Sequence, residues 1–134
     1  MKLIDRIGRL TLSAMFLLFG GPVVRNPTKQ AATAGRLLTA VRERLPIPVP
    51  DDELAVRLNA GVQVAAALGL AFDVAPRVSS GILLGSLVPV TIAGHSFWTV
   101  DDPAQRVNHR AHFLKNVGVS SGLLLVLASP LAER

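Results

Sequence analysis

Residues 54–94 read LAVRLNAGVQVAAALGLAFDVAPRVSSGILLGSLVPVTIAG: two apolar blocks joined by Asp73-Val74-Ala75-Pro76-Arg77. So short a joint makes only a tight turn, so the two blocks must run antiparallel and side by side. Each approaches the ~20 residues that an α-helix needs to cross the hydrocarbon layer of a bilayer. The apolar residues fall in continuous blocks rather than on one face at a period of 3.6 or 2. The outside of each segment must therefore meet something as apolar as its inside, which is lipid.

Two further blocks flank this hairpin, about 7–24 and about 113–131, giving four spans with the pair at about 54–72 and 78–94. The chain is thus expected to be all-α, a four-helix transmembrane bundle forming one membrane domain over residues 1–134. Composition agrees. Half the residues are hydrophobic, 17% are charged and the mean hydropathy is +0.45, whereas a soluble domain carries about a quarter charged residues. Lys2, Arg6 and Arg9 before an apolar run also describe a leader. No small-x-small cleavage site follows Val24, and further spans lie downstream, so the first block is read as a retained helix.

The connections carry most of the polar residues. Within 30–45, Leu37, Leu38, Val41 and Leu45 recur at helical spacing among Arg36, Arg42, Glu43 and Arg44. Two readings fit: an amphipathic helix in the membrane interface, or a helix docked on the bundle. Pro46-Ile47-Pro48-Val49-Pro50 is extended, and Asp51-Asp52-Glu53 suits the positive end of the next helix. Asp101-Asp102-Pro103 has the form of an N-cap with proline in the first turn, so one helix should run from there into the fourth span.

Gly61, Ala65 and Gly69, then Gly81 and Gly85, then Gly118 and Gly122 recur at four-residue spacing, a pattern that lets helices approach closely in lipid. On that reading Gly81→Leu or Gly118→Leu forces helices apart. Lys2, Arg6, Arg9, Arg77 and Arg134 fall on one side of the membrane and the nine other basic residues on the opposite side. The positive-inside rule places the two long connections in the cytoplasm, while the basic residues before the first helix pull the other way.

The pI near 11.1 invites nucleic acid. The basic residues are scattered at the ends of apolar blocks and Tyr is absent, so nucleic acid is set aside in favour of lipid head groups. There is no cysteine, hence no disulfide, thiol nucleophile or thiolate metal site. Redox chemistry would need a bound group or a partner protein.

Polar residues inside spans are costly and mark candidate sites. Asn59 and Gln63 share a face of the second span one turn apart. They either bridge helices or line a pocket for a polar head such as a quinone carbonyl. The densest cluster is His95, Trp98, His109, His112, Lys115 and Asn116. Phe97 and Trp98 fit an aromatic belt at head-group depth, and His109 and His112 are neighbours on one helix. Lys115 and Asn116 sit where the last span begins and must be satisfied by something other than lipid. The histidines match no metal-ligand spacing, and haem is disfavoured because they gather at one membrane edge. No catalytic triad, P-loop or dinucleotide motif occurs, so no catalytic residue is assigned.

Phe113-Leu114-Lys115-Asn116, Gly122-Leu123-Leu124, Phe97-Trp98, Gly94-His95, Val88-Pro89, Pro76-Arg77 and Asn59 to Gln63 together resemble the DoxX family of small bacterial membrane proteins. Ser96, where members often carry proline, and Ser120-Ser121, where glycines are common, depart from that pattern. The resemblance implies a four-helix, multi-pass protein of the bacterial plasma membrane, with quinone as cofactor and an accessory role beside a redox partner protein. Two other functions stay open: a scaffold that recruits a partner, or a binder of a small molecule or lipid. As partners, the bilayer comes first, with a redox protein or a second copy of the chain also open.

Overall fold

The computed structural model describes residues 2–46 and 48–129. Five α-helices occur there: α1 Lys2–Arg25, α2 Thr28–Arg44, α3 Asp52–Ala71, α4 Pro76–His95 and α5 Pro103–Ala128. A single 3-10 turn, Phe97–Thr99, links α4 to α5. α1, α3, α4 and α5 are long and apolar enough to cross a membrane. Arg134, Ile47 and the expected end of the last span at 131 lie outside the described residues.

One cap stands where the sequence suggests, at Asp102, and a second is made by Asp51, the first of the acids expected at the start of the next helix. Asp51 accepts from the Leu54 N–H at 3.0 Å, and Asp102 accepts from the Gln105 N–H at 2.7 Å with Pro103 in the first turn. α5 is accordingly one helix from Pro103 onward.

Around the bundle the order is α1–α3–α4–α5, with α1 packed chiefly on α3 and closing more loosely on α5. The core joins Phe16 of α1, Ala66, Ala67 and Leu70 of α3, Leu83 and Leu87 of α4 and Leu123 of α5. Large apolar side chains point outward instead, with Leu18 72% and Leu125 73% exposed. A soluble protein would be destabilised by that surface; in lipid it costs nothing, and small residues inside let the backbones approach.

One end of the bundle is tied by polar contacts. Arg9 pairs with Asp73, and Arg77 Nε donates to the Leu127 carbonyl at 2.8 Å. The start of α1, the α3–α4 turn and the end of α5 therefore share a side, as four antiparallel spans require. Thr39→Cys in α2 and Val74→Cys in the turn should label from opposite faces of a sealed vesicle. Labelling of both from one face would break the four-span arrangement, and the absence of native cysteine keeps the readout clean.

The glycine expectation needs correction. A Cβ on Gly69 would come 2.6 Å from Ser79 Oγ, and one on Gly122 would come 3.3 Å from Leu12. On Gly81 it would rest at an ordinary 3.8 Å from Leu127. Around Gly61, Gly85 and Gly118 nothing lies within 4 Å, and Ala65 is exposed. Four residues advance a helix by about 40° beyond a full turn, so a four-residue stripe drifts off the contact within two steps. Gly118→Leu is thus tolerated by the bundle, contrary to the reading from spacing. Two contacts lie outside that pattern: a Cβ on Gly35 of α2 would come 3.2 Å from Asp52 Oδ2, and one on Gly20 of α1 would sit 3.4 Å from Val64.

α2 lies across the other end. Thr28 Oγ1 donates to Glu53 at 2.8 Å, Arg42 lies 2.7 Å from the Asp52 carboxylate as a charge contact and donates to the Pro50 carbonyl, and Gly35 faces Asp52. Positions 28, 35 and 42 form one stripe that meets the first turn of α3. Arg36 and Arg44 of the same helix stay exposed.

Candidate functional site

All five helices contribute to a cavity of about 570 Å³. Its walls are mainly apolar: Phe16 of α1, Leu37 and Leu38 of α2, Ala60 of α3, Leu87 and Val90 of α4. Into it come Asn59 and Gln63 of α3, His95 of α4, and Lys115 and Asn116 of α5. Lys29 of α2 joins them, and among the described residues no carboxylate lines the space.

The helices set these positions by period. Asn59 and Gln63 stand one turn apart on the same side of α3, flanking the face of buried Ala60 and Ala67. Gln63 is buried, and its Nε2, closed off from solvent, has no hydrogen-bond partner. A buried amide without a partner costs about 1–3 kcal/mol, so the arrangement asks for an acceptor from outside the chain. Asn59 and Gln63 both line the cavity.

Asn116 is buried and does have a partner: its Nδ2 donates to Thr91 Oγ1 at 2.9 Å, and Thr91 donates onward to the Leu87 carbonyl at 2.8 Å. Lys115 has no carboxylate partner among the described residues. Its ammonium stands 5.4 Å from the centre of the Phe19 ring, a cation–π contact.

The three histidines gather as the sequence suggests, but only His95 reaches the cavity. Its ring stacks on His112 at 4.9 Å between centroids, tilted by 15°, and lies 5.8 Å from His109. Stacked rings aim their nitrogen lone pairs sideways in their own planes, not at a common point. Among the described residues no group of three His, Cys, Asp or Glu is placed to hold a metal ion. Trp98 does not line the cavity. It packs edge-on against Phe97 and Phe113 at 5.2 and 5.8 Å, an aromatic cluster at the α4–α5 corner.

Of the residues expected at the site, Asn59, Gln63, His95, Lys115 and Asn116 come together. His109 and His112 stand behind His95, and Trp98 stands apart. Sequence reasoning missed Thr91, Phe19 and Lys29. A lone threonine or phenylalanine in an apolar span gives no signal, and Lys29 joins only because α2 folds back over the bundle.

Compared with protein-family models, with curated proteins and with solved structures, the chain finds no match.

Proposed function

We propose that this multi-pass membrane protein seats the ring of a lipid-soluble quinone in the cavity and serves a quinone-linked redox process of the bacterial plasma membrane as an accessory, DoxX-like subunit. The observation that carries the reading is the unpartnered Gln63 amide, buried in an apolar cavity that also presents Lys115. A quinone ring offers carbonyl acceptors to those donors and an apolar tail to Phe16, Leu37 and Leu87. A small number of polar groups fixing orientation within apolar walls is the usual composition of a small-molecule site. When bound, the quinone supplies the electron-carrying chemistry that this cysteine-free chain lacks; the chain's own residues bind and orient it.

Trp98 is the only tryptophan and there is no tyrosine, so intrinsic fluorescence reports from one corner of the bundle. A short-chain benzoquinone titrated into the detergent-purified protein should quench that emission saturably. Gln63→Leu and Lys115→Leu should each weaken the binding by roughly tenfold, the effect of one charge-assisted or buried hydrogen bond. Identical quenching curves for the wild type and both variants would remove the quinone site. Co-purification of a protein in its place would then support the scaffold.

A further inference from the structure

We infer that the cavity selects a ligand whose polar head is an ionised oxygen, an acidic hydroxyquinone in preference to a neutral quinone. The charge preference stands on the cavity's own side chains, while the ring rests on the quinone reading above. Two ammonium groups line the space, Lys115 of α5 and Lys29 of α2, and among the described residues no carboxylate does. Beside apolar walls charges are poorly screened. A neutral ligand leaves both ammonium groups without a counter-ion, whereas an anionic head supplies one.

Acids at this end of the bundle are engaged elsewhere. Asp51 caps the Leu54 N–H, Asp52 lies 2.7 Å from Arg42, Glu53 accepts from Thr28 Oγ1 and Asp102 caps the Gln105 N–H. Lys115 is kept at the cavity by the Phe19 ring, a wall residue whose centre is 5.4 Å from the ammonium. Gln63 comes to the next residue of α1, since a Cβ on Gly20 would lie 3.8 Å from its Oε1. An ammonium and a buried amide nitrogen that lacks an acceptor therefore meet α1 at neighbouring positions. Gln63 is 8% exposed and both lysines are exposed, so the amide lies deeper and the ammonium groups stand at the rim. A ring between them takes its ionised oxygen to Lys115 and a carbonyl to Gln63 Nε2. The other titratable group on the wall is His95, with His109 and His112 packed against it. All these groups are cationic or neutral, and none repels an anion.

A matched pair of probes isolates the charge: 2-hydroxy-3-hexyl-1,4-naphthoquinone, ionised at neutral pH, and its 2-methoxy counterpart, which cannot ionise. Binding in non-ionic detergent is read by Trp98 quenching. The wild type should hold the hydroxy probe roughly tenfold more tightly, the gain from a charge-assisted hydrogen bond over a neutral one. The bound hydroxy probe should also lose its ionised colour at a pH about one unit lower than in empty micelles, the same tenfold bias read spectroscopically. Lys115→Gln keeps a hydrogen-bond donor and removes only the charge. It should erase most of the preference, leaving the methoxy affinity and the melting temperature unchanged, and Lys115→Arg should retain the preference. Lys29→Gln should narrow it as well. Equal binding of the two probes by the wild type, or an undiminished preference in both glutamine variants, would overturn the anionic head and leave the quinone site standing. Dodecanoate separates the head from the ring. If no quinone binds, yet dodecanoate raises the melting temperature of the wild type and not of Lys115→Gln, the anionic head holds and the quinone reading falls. If no probe binds, both fall.

Discussion

Gly69→Ala is expected to destabilise the bundle by about 1–3 kcal/mol, whereas Gly61→Ala, the same change two turns earlier on α3, should leave it unchanged or gain up to about 1 kcal/mol. At Gly69 the new methyl would lie 2.6 Å from Ser79 Oγ and 3.2 Å from the Val74 carbonyl. Ser79 cannot simply swing aside, because it is buried and its hydroxyl donates to that same carbonyl at 3.2 Å. Val74 is held as well: its N–H donates to the Gly69 carbonyl at 2.8 Å. The turn is already strained, with Asp73 at φ 60° and Ala75 at φ 46° in the left-handed region, so it has little freedom to yield. Gly61 has nothing within 4 Å of its would-be Cβ, so only the helix-propensity gain remains. Thermal unfolding of the two variants in one detergent, followed by circular dichroism, separates them. Equal melting temperatures would show that the α3–α4 hairpin is looser than described.

Thr91→Val should cost about 1–2 kcal/mol although it keeps shape and volume. Thr91 Oγ1 accepts from Asn116 Nδ2 at 2.9 Å, in a place where Asn116 is only 5% exposed. Valine leaves that amide buried and unpartnered. Asn116→Leu is milder on this account, because the Thr91 hydroxyl keeps its own acceptor, the Leu87 carbonyl at 2.8 Å. With both changes made together no polar group is stranded, so the double variant should be more stable than Thr91→Val alone. A double-mutant cycle on unfolding free energies measures this coupling. Strict additivity would mean that the pair is not made in the membrane-embedded protein.

The four spans are legible because a bilayer imposes length and apolarity on each, and Asp51 and Asp102 mark two of the helix starts through hydrogen bonds that a short side-chain acceptor at that position makes. The inward faces are not legible. With lipid outside, Leu58 and Val62 are as comfortable exposed as Ala60 and Ala66 are buried, so hydrophobicity no longer says which side is in. For the same reason the small-residue spacing pointed equally to Gly118, which is open, and to Gly122, which is packed. The site was half legible. Polar residues within spans stand out, which brings in Gln63, Asn59 and Asn116, and the histidines lie close in sequence at one corner. Their partners do not stand out: Thr91 meets Asn116 only because α4 and α5 are antiparallel in one particular register.

α2 makes its extensive contacts with α3 and α4, both synthesised after it, and not with α1, made before it. While the chain is being made, its stripe of Thr28, Gly35 and Arg42 has nothing to rest on until Asp52 and Glu53 emerge. The cavity it helps to wall does not exist until the α3–α4 hairpin is in place. The docking of α2 seen here therefore needs α3 and α4 to be present.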